Sequence, residues 1–151
     1  MFDDKITVPF PWGSKLSGVE NLAHIAWYSR RLDIPVDWEG TRTYIVIGAC
    51  DWKTSLWIDG QFVGEHQGGY TPFEFDLTEF TTPGKSHQLV LRVDDSPHPF
   101  KLEGKQGYGE AKGIWQTAYL ESRGTIAIQY IYFTPDIDKG TLMVHAILDQ
   151  A

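Results

Sequence analysis

Leu56-Trp57-Ile58-Asp59-Gly60-Gln61-Phe62-Val63 sets two short runs rich in apolar residues on either side of an Asp-Gly pair. Asp-Gly readily takes the two positive-φ positions of a type I′ turn, whose twist matches that of the strands it joins, so residues 55–65 are read as a tight β-hairpin. The same period of two continues outward. Phe73, Phe75 and Leu77 alternate with Glu74 and Asp76, while Leu89, Leu91 and Val93 alternate with Val90 and Arg92, as two strands of a packed face would. Pro83-Gly84-Lys85 turns the chain between them. Further strands are expected over His24 to Ile34, Thr43 to Ala49, Gln116 to Glu121, Thr125 to Thr134 and Thr141 to Leu148, built from the β-branched and aromatic residues that suit a pleated surface. Hardly any segment carries a 3.6-residue period. An all-β sandwich with jelly-roll wiring, of the galactose-binding-like kind, is therefore expected.

Composition bounds what such a sandwich can do. The 151 residues suit one ordinary domain with a proper core. A hydrophobic share of 42% and an aromatic share of 14% exclude disorder. A formal charge of -7 offers no basic stripe for a phosphate backbone or an anionic lipid surface, so neither nucleic acid nor membrane is an expected partner. Cys50 stands alone inside an apolar run and is read as a buried thiol. No apolar run reaches the ~18 residues of a membrane span, and Met1-Phe2-Asp3-Asp4-Lys5 lacks signal-peptide regions, so the expected setting is cytoplasmic, or external after removal of a leader.

The run from Asp51 to Phe75, including Trp57-Ile58-Asp59-Gly60, Gly64-Glu65-His66 and Gly68-Gly69-Tyr70-Thr71-Pro72-Phe73, resembles the signature of the N-terminal jelly-roll domain of glycoside hydrolase family 2 enzymes. Val8-Pro9-Phe10-Pro11, Ala26-Trp27-Tyr28, Leu91-Arg92-Val93-Asp94-Asp95 and Gly113-Ile114-Trp115-Gln116 agree with it in order. The resemblance implies a non-catalytic, sugar-binding-type domain over residues 1–123. Residues 124–151 would then be a linker strand and the opening strands of a following immunoglobulin-like domain, since Tyr132 to Asp138 is similar to that domain's first strand. It further implies a downstream (β/α)₈ barrel carrying both catalytic glutamates. A retaining glycosidase needs two carboxyl groups ~5 to 5.5 Å apart, so no catalytic residue is assigned to this chain. The implied parent is a β-galactosidase-like exo-glycosidase.

In that family a loop before the Gly-Ile-aromatic motif reaches the active site, and here it would be Gly104 to Lys112. Lys105, Gln106, Tyr108 and Glu110 are its substrate-binding candidates, although Gly107 stands where relatives place an acidic residue. Trp12 joins them as a loop tryptophan able to stack on a pyranose. Both Trp12 and Trp38 are expected to be exposed, whereas Trp27, Trp57 and Trp115 are read as structural anchors of the strands. Trp57, Asp59, Gly60, Gly64, His66, Gly68, Gly69, Tyr70, Pro72, Phe73, Gly113 and Trp115 form the structural motif, with positive φ expected at the Gly68-Gly69 turn.

Other constellations have bland readings. Gly104-Lys105-Gln106-Gly107-Tyr108-Gly109 lacks the strand-to-helix setting of a phosphate loop. Asp94-Asp95-Ser96-Pro97-His98 most simply ends a strand, and His24 and His66 lack a third ligand, so no metal and no cofactor is expected. The expected partners are carbohydrate through the parent enzyme, the downstream domains of the same chain, and a second copy in a homo-oligomer. Competing with the accessory reading are a free-standing carbohydrate-binding module using an exposed aromatic strip, and a purely structural domain.

Overall fold

The computed structural model describes residues 4–97 and 111–150. Its strands in chain order are β1 (Ile25–Asp33), β2 (Arg42–Ile47), β3 (Cys50–Asp51), β4 (Lys53–Ile58), β5 (Gln61–Gln67), β6 (Phe73–Asp76), β7 (Ser86–Asp94), β8 (Gly113–Ile114), β9 (Ala118–Arg123), β10 (Ile128–Asp136) and β11 (Thr141–Leu148). Among the described residues the helical elements are two short 3-10 turns, Lys15–Ser17 and Val36–Trp38. None is long and apolar enough to cross a membrane.

Two antiparallel sheets, ordered β1-β7-β4-β5 and β6-β2-β9, form the sandwich. Leu56, Ile58, Leu89, Leu91 and Val93 from the first meet Ile45, Ile47, Phe73 and Phe75 from the second in one buried cluster. Burying each such side chain contributes about 1.5 to 3 kcal/mol relative to exposure. The alternation read from the sequence is present, with Phe73 and Phe75 buried and Glu74 and Asp76 exposed. One expectation is corrected here. β6 and β7 do not share a face: they lie in opposite sheets, and their apolar residues enter the core from its two sides.

The hairpin has the geometry its sequence requires. Asp59 (φ 49°) and Gly60 (φ 82°) occupy the two positive-φ positions between β4 and β5, with Ile58 opposite Gln61. The Asp59 carboxylate accepts the Gln88 backbone N–H at 2.7 Å and meets His87 Nδ1 at 2.6 Å, which pins the turn to β7. Those two bonds, the first above all, hold its carboxyl below the usual range.

His66, on β5, joins the two sheets by stacking on Phe73 of β6, with ring centroids 3.9 Å apart and an interplanar angle of 8°. Burial lowers its pKa below the ordinary 6.5. The unfolded chain therefore takes up this proton before the folded one, and the stability that neutral His66 supports is lost as pH falls below 6.5. Urea melts should give a lower unfolding free energy at about pH 5.5 than at about pH 7.5, and His66→Gln should flatten that slope. An unchanged slope in the variant would assign the dependence to other groups.

β10 and β11 form a separate two-stranded ribbon. Ile128, Tyr130, Ile131, Tyr132, Phe133, Leu142, Met143 and Val144 are all exposed on it. An Arg42–Asp149 ion pair of 2.6 Å ties the ribbon to β2.

Candidate functional site

Of the motif residues, Gly68, Gly69, Tyr70, Gly113 and Trp115 gather at one end of the sandwich, where the chain crosses from β5 to β6, whereas Asp59 and Gly60 form the β4–β5 turn. Gly68 takes φ +131° and its N–H donates to the Trp52 carbonyl at 3.0 Å. Gly69 is needed for a different reason. A Cβ there would lie 2.6 Å from Asp51 Oδ1, so the backbone can approach the buried carboxylate only without a side chain. Asp51 in turn pairs with Gly113 across the β3–β8 ladder, and Cys50 with Ile114.

The Gly-Ile-Trp segment completes this end. Trp115 Nε1 donates to the Gly69 carbonyl at 2.9 Å, and the Tyr70 ring meets Trp115 edge-on at 5.8 Å. Tyr70 is exposed and Trp115 is half-buried, so these two rings form the aromatic part of the rim. Beneath them, Gly113 lies against Trp12 and Tyr28. Burial raises the Tyr28 phenol far above its ordinary value, and its oxygen lies 3.5 Å from the Ile114 N–H.

Lys112 bridges to Trp12 in a short antiparallel contact, and its Nζ lies 2.8 Å from Asp95 Oδ2. Both residues are buried, with the Asp95 side chain at 0% exposure. Asp95 follows β7 and its N–H donates to the His24 carbonyl at 2.7 Å. This ion pair therefore joins the residue that follows β7 to the one that precedes β8.

Several site expectations change against this geometry. Trp12 is not an exposed sugar platform: it is 4% exposed, and its Nε1 donates to the Ala23 carbonyl at 2.9 Å. Trp38 is likewise partly buried and packs against the core. Trp27, read as an anchor, is exposed on the outer face of β1, because its neighbours Ala26 and Tyr28 take the inner positions. Trp57 is half-buried beside it. Lys105, Gln106, Tyr108 and Glu110 lie outside the described residues. The burial of Asp51, Asp95 and Lys112 was not legible in the sequence, since a charged residue ordinarily signals a solvated position.

Among the described residues no group of three or more His, Cys, Asp or Glu side chains is placed to hold a metal ion. Asp94 is bound to Arg92 and Ser96. Burial pushes the Cys50 thiol up to about 12, which removes thiolate character at neutral pH. What this end offers is a rigid rim of aromatic faces and backbone polar groups, stiffened by glycine contacts and a buried ion pair.

Comparison with known proteins accords with this architecture. The model of the family described as "Glycosyl hydrolases family 2, sugar binding domain" matches residues 3–122. A beta-galactosidase of Thermoanaerobacter pseudethanolicus is 32% identical over 120 residues, covering 78% of this chain and 16% of that protein. A beta-glucuronidase of Sus scrofa is 33% identical, covering 79% of this chain and 22% of its own length. Among solved structures, a beta-glucuronidase of Faecalibacterium prausnitzii superposes with a TM-score of 0.75 at 21% identity, over 95% of this chain and 30% of that one. The chain thus spans less than a third of the length of each of these proteins.

Proposed function

The chain belongs to glycosyl hydrolase family 2 as its sugar-binding domain, and from that membership we propose that it serves as a non-catalytic accessory domain of a larger, β-galactosidase-like exo-glycosidase. In this reading the sandwich braces a catalytic barrel, and the rim around Tyr70 and Trp115 shapes the entrance to its sugar pocket. The observation that carries it is the family match over residues 3–122 in a chain spanning 16% of a related beta-galactosidase.

The same reading divides the chain near residue 123. The β10–β11 ribbon would open a second, immunoglobulin-like domain, an assignment supported by its separate pairing and by apolar side chains exposed along both strands. Such surface is characteristic of a face awaiting a partner.

The test is turnover of a panel of nitrophenyl glycosides by the 151-residue chain and by the longest reading frame that contains it. Turnover by the longer chain alone is expected, with the preferred glycoside naming the sugar. Hydrolysis by the 151 residues themselves would overturn the accessory role, as would a reading frame encoding no barrel.

A further inference from the structure

The outer face of the β1-β7-β4-β5 sheet carries a second aromatic cluster, remote in register from the rim. Trp27 on β1 lies with its ring centroid 5.6 Å from that of Trp57 on β4, at an interplanar angle of 32°. Phe62 on β5 follows 5.5 Å beyond, tilted by 59°. Trp27 and Phe62 are each about half exposed (52% and 54%). The three rings therefore follow one another across the sheet from β1 through β4 to β5.

The surroundings of this line decide its occupant. Arg92 stands between Trp27 and Ser55 in the register, and Ser29 and Trp57 flank Val90. The charges around the rings are already matched within the face. Arg31 is paired with Asp33 at 3.0 Å, Arg92 with Asp94 at 2.8 Å, and Lys53 with Glu65 at 3.0 Å. Among the described residues the cations beside the rings are thus already paired and offer little to a charged partner, whereas a neutral polyhydroxylated one would find indole faces beside hydroxyl, amide and guanidinium groups.

Area argues against a second copy of the chain. Three aromatic side chains present about 150 to 250 Å² each when fully exposed, and half of that falls well below the ~800 Å² per partner of a stable interface. A pyranose needs only a ring-sized shelf.

We propose that Trp27, Trp57 and Phe62 form a stacking platform for a neutral oligosaccharide, on the sheet face and separate from the rim assigned above. Apolar C–H faces of successive sugar rings lie on the two indoles, Phe62 limits the chain at β5, and the hydroxyls reach Arg92 and Ser29. The platform does not depend on a barrel, so it stands or falls independently of the accessory role.

The test is titration of the 151-residue chain with cellohexaose, β-1,4-galactohexaose and β-1,4-mannohexaose, and with hexagalacturonate as the charged counterpart, followed by tryptophan fluorescence and calorimetry. At least one neutral hexasaccharide is expected to bind, and the hexagalacturonate not to. Trp27→Ala and Phe62→Ala should each weaken binding about tenfold or more, the equivalent of 1.4 kcal/mol. Trp27→Tyr should retain most of it, and melting temperatures should hardly move because both side chains are half exposed. Trp115→Phe, at the rim, should leave it unchanged. The proposal is overturned if none of the three neutral sugars binds, if Trp115→Phe rather than Trp27→Ala removes binding, or if Trp27→Ala changes only the sedimentation of the chain, which would make the face a contact between copies.

Discussion

Replacing Gly113 by alanine should lower the unfolding free energy by about 2 to 5 kcal/mol. Two costs combine at this position. The residue has φ +73°, where a Cβ costs about 1 to 2 kcal/mol. That Cβ would also lie 2.2 Å from both the Trp12 ring and Tyr28 Oη, and overpacking of this kind typically costs a further ~1 to 3 kcal/mol. Trp12 and Tyr28 are held in place, the first by its bond to Ala23 and the second by burial, so neither can simply swing aside. For a domain of this size the loss corresponds to a fall of about 4 to 20 °C in Tm. Gly60→Ala provides the control, because its φ is +82° but nothing lies within 4 Å of the added atom. Thermal melts placing Gly113→Ala within about 1 kcal/mol of Gly60→Ala would show that Trp12 and Tyr28 yield, and that the contact is not what demands glycine.

Lys112→Met should cost about 3 to 5 kcal/mol, the range observed when one partner of a buried ion pair is removed. Methionine keeps an unbranched stem at this position but deletes the ammonium 2.8 Å from Asp95 Oδ2. The Asp95 carboxylate, whose side chain is shielded from water, then loses the ammonium that lies 2.8 Å from it. Adding Asp95→Asn should recover part of the loss, since a neutral amide of the same shape is far less costly to bury. Urea denaturation of the two single variants and the double variant would measure the coupling directly. A loss below about 1 kcal/mol for Lys112→Met would mean that water reaches the pair and that it contributes no more than a surface ion pair.

The hairpin could be read without coordinates because every determinant is local. Asp59-Gly60 fixes two positive φ values, and the alternation on either side fixes which side chains face inward. Strand positions over β1, β2, β6, β7, β9 and β11 follow from the same period of two. β3 and β8 could not be found that way, because a two-residue strand carries no period at all. Their pairing joins segments more than sixty residues apart and creates the crowded site at Gly113.

The tryptophans mark the boundary most clearly. Trp12, between Pro11 and Gly13, and Trp27, within the strand pattern Ile25 to Ser29, are the same residue type, yet the loop tryptophan is buried under the rim and the strand tryptophan lies open on the sheet face. Their neighbours in the chain pointed to the opposite assignment. For Trp12 the deciding elements are Gly113 and Tyr28, and for Trp27 they are its position on an outer face and the presence of Trp57 two strands away. The burial of Asp95 and Lys112 is equally a matter of partners distant in the chain.

Composition, alternation, turn residues and the long motif from Trp57 to Phe75 by themselves determined an all-β sandwich of a recognisable family, because those signals act over neighbouring residues. Which strands share a sheet, which glycines are irreplaceable, which charges are buried and which aromatic rings face outward were decided only by tertiary structure, because each depends on what long-range pairing places opposite.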